Sequence, residues 1–219
     1  MKKTELLTLS AGQNPIELVT LGDTKNPKVL FIGGVHGDEP EGTYLMEDFI
    51  EHVGDKTHDF KSCVLLIPAY NPDGLKILGR TNASGVDLNR NFPSSDWSPK
   101  ILAPRYNPGA QPKSEPETKA LVKLLLTQKP YLVVHFHTYI PQINYTGEMS
   151  KKWAEILAKD FGHPVTDNIG YPTPGSLGQY CFYDLKTPCV CVELPEKVER
   201  KKAWSMIGQS LMEIATSAP

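Results

Sequence analysis

The sequence predicts an α/β fold, a single three-layer α/β/α domain over residues 1–219 with a central mixed, mostly parallel sheet. Three observations predict it. Short apolar runs of strand length alternate along the chain with longer amphipathic stretches of helical length. Each run is apolar throughout rather than alternately polar, as strands covered on both faces by helices must be. A chain of 219 residues suits one core and folds without staples.

The elements follow in order. Residues 28–34 (Lys-Val-Leu-Phe-Ile-Gly-Gly) read as a buried strand closed by glycines. Pro40 then opens an amphipathic helix to His52, because proline is well tolerated in a first turn. A second apolar strand covers residues 62–68. A helix over 114–128 starts at Ser114-Glu115-Pro116-Glu117, where Ser114 and Glu117 have the spacing of a capping box. The third strand is 130–137, a helix covers 151–161, the fourth strand is 187–194, and a helix over 196–216 ends the domain. The 19 prolines and 17 glycines cluster in 91–116 and 162–178, which predicts long ordered loops there.

Composition narrows the function. Hydrophobic residues are 40% and charged residues 22%, with a net charge of -2, which argues against a nucleic-acid or anionic-membrane partner. The run Glu199-Arg200-Lys201-Lys202 reads as a solvated helix face. No apolar stretch approaches the roughly 18 residues of a membrane span, and residues 2–14 lack the apolar core of an export signal. A cytoplasmic location with reduced cysteines is therefore expected for Cys63, Cys181, Cys189 and Cys191. Cys189 and Cys191, two apart, share one strand face and read as core packing. A homodimer through an edge strand or the C-terminal helix is compatible with the sequence.

The polar residues converge on one edge of the predicted sheet. His36 and Glu39 follow the first strand, Asn71 and Asp73 the second, His137 ends the third and Glu193 lies near the end of the fourth. Ligand crevices of open α/β sheets lie beyond the carboxyl ends of strands. His36-Gly37-Asp38-Glu39 sets an imidazole and a carboxylate three residues apart on one tight turn, with Gly37 expected to allow unusual backbone angles. A second imidazole completes a His₂Glu zinc site with a place left for water, a ligand set that hydrolytic zinc enzymes use. His135 and His137 share a face; His137 is nearer the strand end and is the preferred ligand, leaving His135 as a buried or supporting histidine. One Zn²⁺ per chain is expected. In residues 79–93, Asn89 and Arg90 suit a carboxylate clamp, Arg80 an oxyanion partner, and Asp87 a carboxylate orienting a histidine ligand.

These pieces together resemble the zinc carboxypeptidase family. The matching segments are His36-x-x-Glu39, Asn71-Pro72-Asp73-Gly74, Gly85 to Phe92, Ser114 to Thr118, His137 and Glu193, in the family's order. Within the family the resemblance extends to short bacterial murein tripeptide amidases through Gly170 to Ser176 and Val192 to Pro195. The resemblance implies a zinc carboxypeptidase-like fold and a zinc peptidase whose substrate is a small cell-wall peptide, cut between γ-D-glutamate and meso-diaminopimelate. It implies His36, Glu39 and His137 as ligands, Glu193 as general base, Arg80 as carbonyl polariser, and Asn89 with Arg90 as the carboxylate clamp. It also implies Tyr171 as a tyrosine closing over substrate and Leu177 as part of the side-chain pocket. Asp38 replaces an arginine of the digestive members; it either meets a substrate ammonium or caps the helix at Pro40, with Glu41 three residues on. Three other readings compete: a carboxypeptidase of other specificity, an N-acyl amino acid hydrolase of the aspartoacylase and succinylglutamate desuccinylase type, and a zinc- and peptide-binding module without catalysis.

Overall fold

A computed structural model describes residues 2–54 and 57–217. Along the chain lie β1 (Lys2–Leu9), β2 (Pro15–Leu21), β3 (Lys28–Ile32), α1 (Glu41–Val53), β4 (Cys63–Ile67), α2 (Pro72–Ile77), α3 (Pro116–Gln128), β5 (Leu132–Tyr139), β6 (Gln142–Thr146), α4 (Glu148–Ala158), β7 (Val165–Thr166), α5 (Leu177–Gln179), β8 (Cys189–Pro195) and α6 (Arg200–Thr216). The strands make one eight-stranded sheet in the order β1-β2-β4-β3-β5-β8-β6-β7. The four strands expected from the apolar runs are its centre: β4, β3, β5 and β8 pair in parallel. The periphery adds the antiparallel pairs β1–β2, β2–β4 and β6–β8, so the sheet is mixed.

The period of two along each central strand divides its side chains between two cores. Val29 and Phe31, Val64 and Leu66, Val134 and Phe136, and Val190 and Val192 face α1, α4 and α6, where Leu45, Phe49, Trp153, Leu157, Ile207 and Leu211 complete one cluster. Leu30, Ile32, Cys63, Leu65, Val133 and Cys189 face the other way, onto Leu121, Leu125 and the loop residues Leu88 and Phe92. Helices and loops therefore cover both faces of the sheet, as the uniformly apolar strands required.

Several local expectations shift. Helix α3 begins at Pro116 with no side-chain cap. Ser114 does not cap it: its hydroxyl donates to Glu115 Oε1 at 2.7 Å and accepts from Asn91 Nδ2 at 3.0 Å, so the serine is drawn into a loop network instead. Helix α1 begins at Glu41 and also lacks a side-chain cap, so Asp38 does not serve as one. Gly37 is required for closeness rather than for its backbone angle. A Cβ there would lie 1.9 Å from the carbonyl carbon of Gly74, so only glycine lets the β3–α1 turn rest on α2. Helix α2 is capped by Asn71, whose Oδ1 accepts from Gly74 N–H at 2.9 Å.

Candidate metal centre and active-site cleft

The carboxyl ends of β3, β5 and β8 lie side by side, and parallel register decides which residues meet. His135 stands opposite Cys191 and His137 opposite Glu193 across the β5–β8 ladder. The β3–α1 turn brings His36 and Glu39 over the end of β5. His36 Nδ1 lies 3.0 Å from Glu39 Oε1, His137 Nδ1 lies 2.8 Å from Glu39 Oε2, and the two Nδ1 atoms are 3.0 Å apart. All three side chains are buried.

This donor set fits zinc. Two imidazole nitrogens aimed at each other at this distance have no mutual hydrogen bond to spare once Glu39 is shared between them, and ligands on a tetrahedral zinc stand about 3.3 Å apart. A second trio, His135, His137 and Cys191, also offers converging donors. Burial holds the Cys191 thiol well above its ordinary pKa, and Glu193 pushes it the same way, so it resists becoming the thiolate a metal needs. The trio with Glu39 is the better cation site.

Each histidine is held from behind. His36 Nε2 lies 3.1 Å from Asp87 Oδ1, and Arg80 Nε donates to Asp87 Oδ2 at 3.0 Å. Burial opposes the charge on Asp87, but His36 and then Arg80 outweigh it and hold its carboxyl far below the usual range. His137 Nε2 lies 2.9 Å from His135 Nδ1, so His135 is the support of His137 rather than an isolated core histidine.

Glu193 is the other feature of the floor. It is 4% exposed; among the described residues its Oε2 is buried without a hydrogen-bond partner, while its Oε1 accepts only from the Cys191 thiol at 3.4 Å. Burial and then the neighbouring Glu39 carboxylate push its pKa up to about 7.

The walls belong to one cleft of about 390 Å³, lined among others by the donor trio, Glu193, Arg80, Asn89, Arg90 and Tyr171. The loop carrying Arg80, Asn89 and Arg90 is fixed by several ties. Arg80 Nη1 donates to Glu39 Oε1 at 3.3 Å, and Arg90 Nη1 donates to the Asn89 carbonyl at 2.7 Å. The Tyr106 ring lies under the guanidinium groups of Arg80, Arg90 and Arg105, with centroid distances of 5.2, 5.6 and 5.5 Å. Gly175, at φ +73°, packs against the Arg90 carbonyl, where a Cβ would come within 2.3 Å.

The remaining expected residues divide. Tyr171 is at the mouth, 39% exposed, its ring 6.2 Å from that of Tyr139. Asp38 also lines the cleft and faces Arg105 Nη2 at 3.6 Å. Leu177 is placed otherwise than expected. Its side chain is buried in the second core, and it meets the site through its backbone N–H, which donates to Asn89 Oδ1 at 3.0 Å. Sequence reasoning missed Tyr106, Arg105 and Glu41. Tyr106 and Arg105 sit in a loop with no periodicity to flag them, and Glu41 read only as the capping-box partner three residues after Asp38.

The fold and this donor set define a zinc-type metallopeptidase centre at the edge of an α/β sheet, and the chain belongs to the zinc carboxypeptidase family, whose model matches residues 2–199. Its relatives include murein peptide amidase A of Escherichia coli (strain K12), 35% identical over 179 residues that span 76% of this chain and 70% of that protein. Murein peptide amidase A of Vibrio campbellii is 31% identical over 184 residues, 78% of this chain and 70% of that protein. Among solved structures, murein-tripeptide amidase from Escherichia coli O157 superimposes with a TM-score of 0.78 at 28% identity, covering 99% of this chain and 92% of that one. Bovine thrombin-activatable fibrinolysis inhibitor shares the fold, with a TM-score of 0.82 at 18% identity over 99% of this chain and 88% of its own.

Proposed function

We propose that this chain is a zinc-dependent amidase that hydrolyses the bond between γ-D-glutamate and meso-diaminopimelate in free murein tripeptide. The observation that carries the reading is the buried, unpartnered Glu193 carboxylate oxygen opening on the same cleft as the His36–Glu39–His137 trio. A module that only bound peptide would have no use for a carboxylate kept dry, poised near neutral pH and unsatisfied. Identity of 35% and 31% to two murein peptide amidases supports the substrate.

In this reading His36, Glu39 and His137 hold one zinc ion, which when bound supplies Lewis acidity toward water and the substrate carbonyl. Glu193 Oε2 takes the proton of the attacking water and returns it to the leaving amine. Arg80 has two of its five N–H donors engaged by Asp87 and Glu39, which leaves the others to stabilise the oxygen that gains charge. Asn89 and Arg90 hold the free carboxylate beside the departing amine, which a tripeptide presents at the L-centre of diaminopimelate. Tyr171, on the cleft rim, covers the bound peptide. The reaction belongs to the cytoplasm, where peptides released from the cell wall are recycled. Among the described residues no helix is long and apolar enough to cross a membrane.

Mass spectrometry of products from a panel of cell-wall peptides, with and without a chelator, tests the reading. The expected result is chelator-sensitive release of free diaminopimelate from the tripeptide. Turnover of N-succinylglutamate in its place, or release of D-alanine from a tetrapeptide alone, would move the chain to another hydrolase specificity.

A further inference from the structure

A second buried carboxylate opens onto the cleft, and the chemistry above does not use it. Glu41, the first residue of α1, is 7% exposed and lines the cleft. Its Oε1 accepts the Lys197 backbone N–H at 2.7 Å, which ties the β8–α6 connection to the start of α1. Its Oε2 is buried and has no hydrogen-bond partner among the described residues. A buried carboxylate oxygen without a donor is costly, so a site that keeps one is built for a donor that arrives.

The position of Glu41 narrows what arrives. Helix α1 packs on the first face of the sheet through Leu45, Met46 and Phe49, whereas the loop bearing Arg80, Asn89 and Arg90 rests on the second face through Leu88 and Phe92. The cleft thus has a guanidinium wall on one side and, across the donor trio, a carboxylate wall made by Glu41 with the exposed Glu196. Asp38, which also lines the cleft, already faces Arg105. Glu41 forms no ion pair among the described residues, and neither does the Lys197 ammonium at the same rim. A substrate whose carboxylate lies on the guanidinium wall satisfies Glu41 most strongly with a positively charged donor, because a charge-assisted hydrogen bond is about twice as strong as a neutral one.

We propose that Glu41 is the acceptor for a primary ammonium group of the substrate, carried on the acyl side of the scissile amide as the free amino terminus of a short peptide. The inference rests on the peptidase reading and adds a selection for peptides whose amino terminus is uncapped. The same chemistry could come from the distal ammonium of diaminopimelate, so the test separates the two sources.

Steady-state kinetics are measured for the wild type and Glu41→Gln on three peptides: the free tripeptide, its N-acetylated form, and the tripeptide with 2-aminopimelate in place of diaminopimelate, which lacks the distal amine. Glutamine can still accept the Lys197 N–H, so an unchanged thermal midpoint shows the fold is kept. The wild type is expected to prefer the free over the acetylated tripeptide by about tenfold or more in kcat/KM, the scale of a charge-assisted hydrogen bond. Glu41→Gln is expected to abolish that preference while leaving turnover of the acetylated peptide unchanged. Equal use of free and acetylated peptide by the wild type, or an equal loss on all three peptides in the variant, overturns the proposal. A Glu41-dependent loss confined to the peptides that carry the distal amine, whether or not they are acetylated, overturns the acyl-side placement. Calorimetric affinities for the free and acetylated tripeptides are measured in parallel. A chain that cuts none of these peptides yet binds them with the expected preference loses the function proposed above and keeps this role for Glu41; intact cleavage with equal affinities does the reverse.

Discussion

Asp87 touches both halves of the candidate site, with one oxygen on His36 Nε2 and the other on Arg80 Nε. Removing that carboxylate frees the imidazole to turn and leaves a buried guanidinium half satisfied. Asp87→Ala is therefore expected to weaken zinc binding by roughly 10–100-fold, the usual cost of losing a carboxylate behind a histidine ligand; competition with a chromogenic chelator measures it. An unchanged zinc affinity would show that His36 is oriented by its own turn. Glu193 makes no hydrogen bond to the trio's ligating atoms that would position them, so Glu193→Gln should retain zinc while kcat falls by roughly 10²–10⁴, the range for a lost general base. A Glu193→Gln protein that hydrolyses the tripeptide at the wild-type rate would remove Glu193 from the mechanism. At this scale the sequence was legible for residues with a chemical signature at a strand end, such as His36, Glu39, His137 and Glu193. It was not for Tyr106, whose part lies in facing three arginines from different points of a folded loop.

Among the elements, α2 and the β1–β2 turn show how a segment without catalytic groups holds the site. Asp73 of α2 accepts from Ser10 Oγ at 2.7 Å, Gly12 N–H at 2.9 Å and Asn14 Nδ2 at 2.6 Å. Burial raises its pKa, but these donors outweigh burial and hold the carboxyl below its ordinary value. A depressed folded-state pKa stabilises the fold above the unfolded value near 3.9 and loses that contribution as pH falls through the lower folded value. Asp73→Asn should accordingly cost about 1.5–3 kcal/mol at pH 7, with the gap to the wild type in urea midpoint closing as pH drops below about 4. A gap that persists unchanged to about pH 2 would mean that shape, not charge, is what Asp73 supplies. The opposite side of α2 meets the β3–α1 turn, where a Cβ on Gly37 would collide with Gly74 backbone. Gly37→Ala should displace the turn bearing His36 and Glu39, and loss of stoichiometric zinc binding in a protein that still shows helical circular dichroism is the expected outcome. The central strands and main helices were legible because each has its own periodicity. The flanking strands β1, β2, β6 and β7 were not; β1 and β7 are the edges of the sheet, where a strand need bury only one face or none, and β1 is exposed along most of its length.

For the whole molecule, the donor trio closes a loop between distant segments: His36 and Glu39 follow β3, and His137 lies in β5, 101 positions after His36. A metal that binds only the folded arrangement stabilises it by mass action, by about 4 kcal/mol at a thousandfold excess over Kd. Stripping the metal should lower the melting temperature, and restoring zinc should return it, with magnesium unable to substitute because two imidazoles disfavour a hard oxygen-seeking cation. Calorimetric melting with chelator, zinc and magnesium in turn checks this, and a melting temperature indifferent to zinc would count against a shared site. The parallel centre of the sheet sets the geometry, since strands running the same way deliver all their carboxyl ends to one edge.

The sequence by itself determined the parallel core, the edge at which polar groups gather and the residue types able to hold zinc, because periodicity and chemistry are local properties of a chain. Tertiary structure alone decided that His135 stands behind His137, that Leu177 meets Asn89 through its backbone N–H, and that a Glu41 oxygen lies buried on the cleft without a hydrogen-bond partner among the described residues. Those outcomes depend on register and on the approach of segments far apart in sequence, and no local pattern encodes the distance between two atoms that meet only when the sheet has formed.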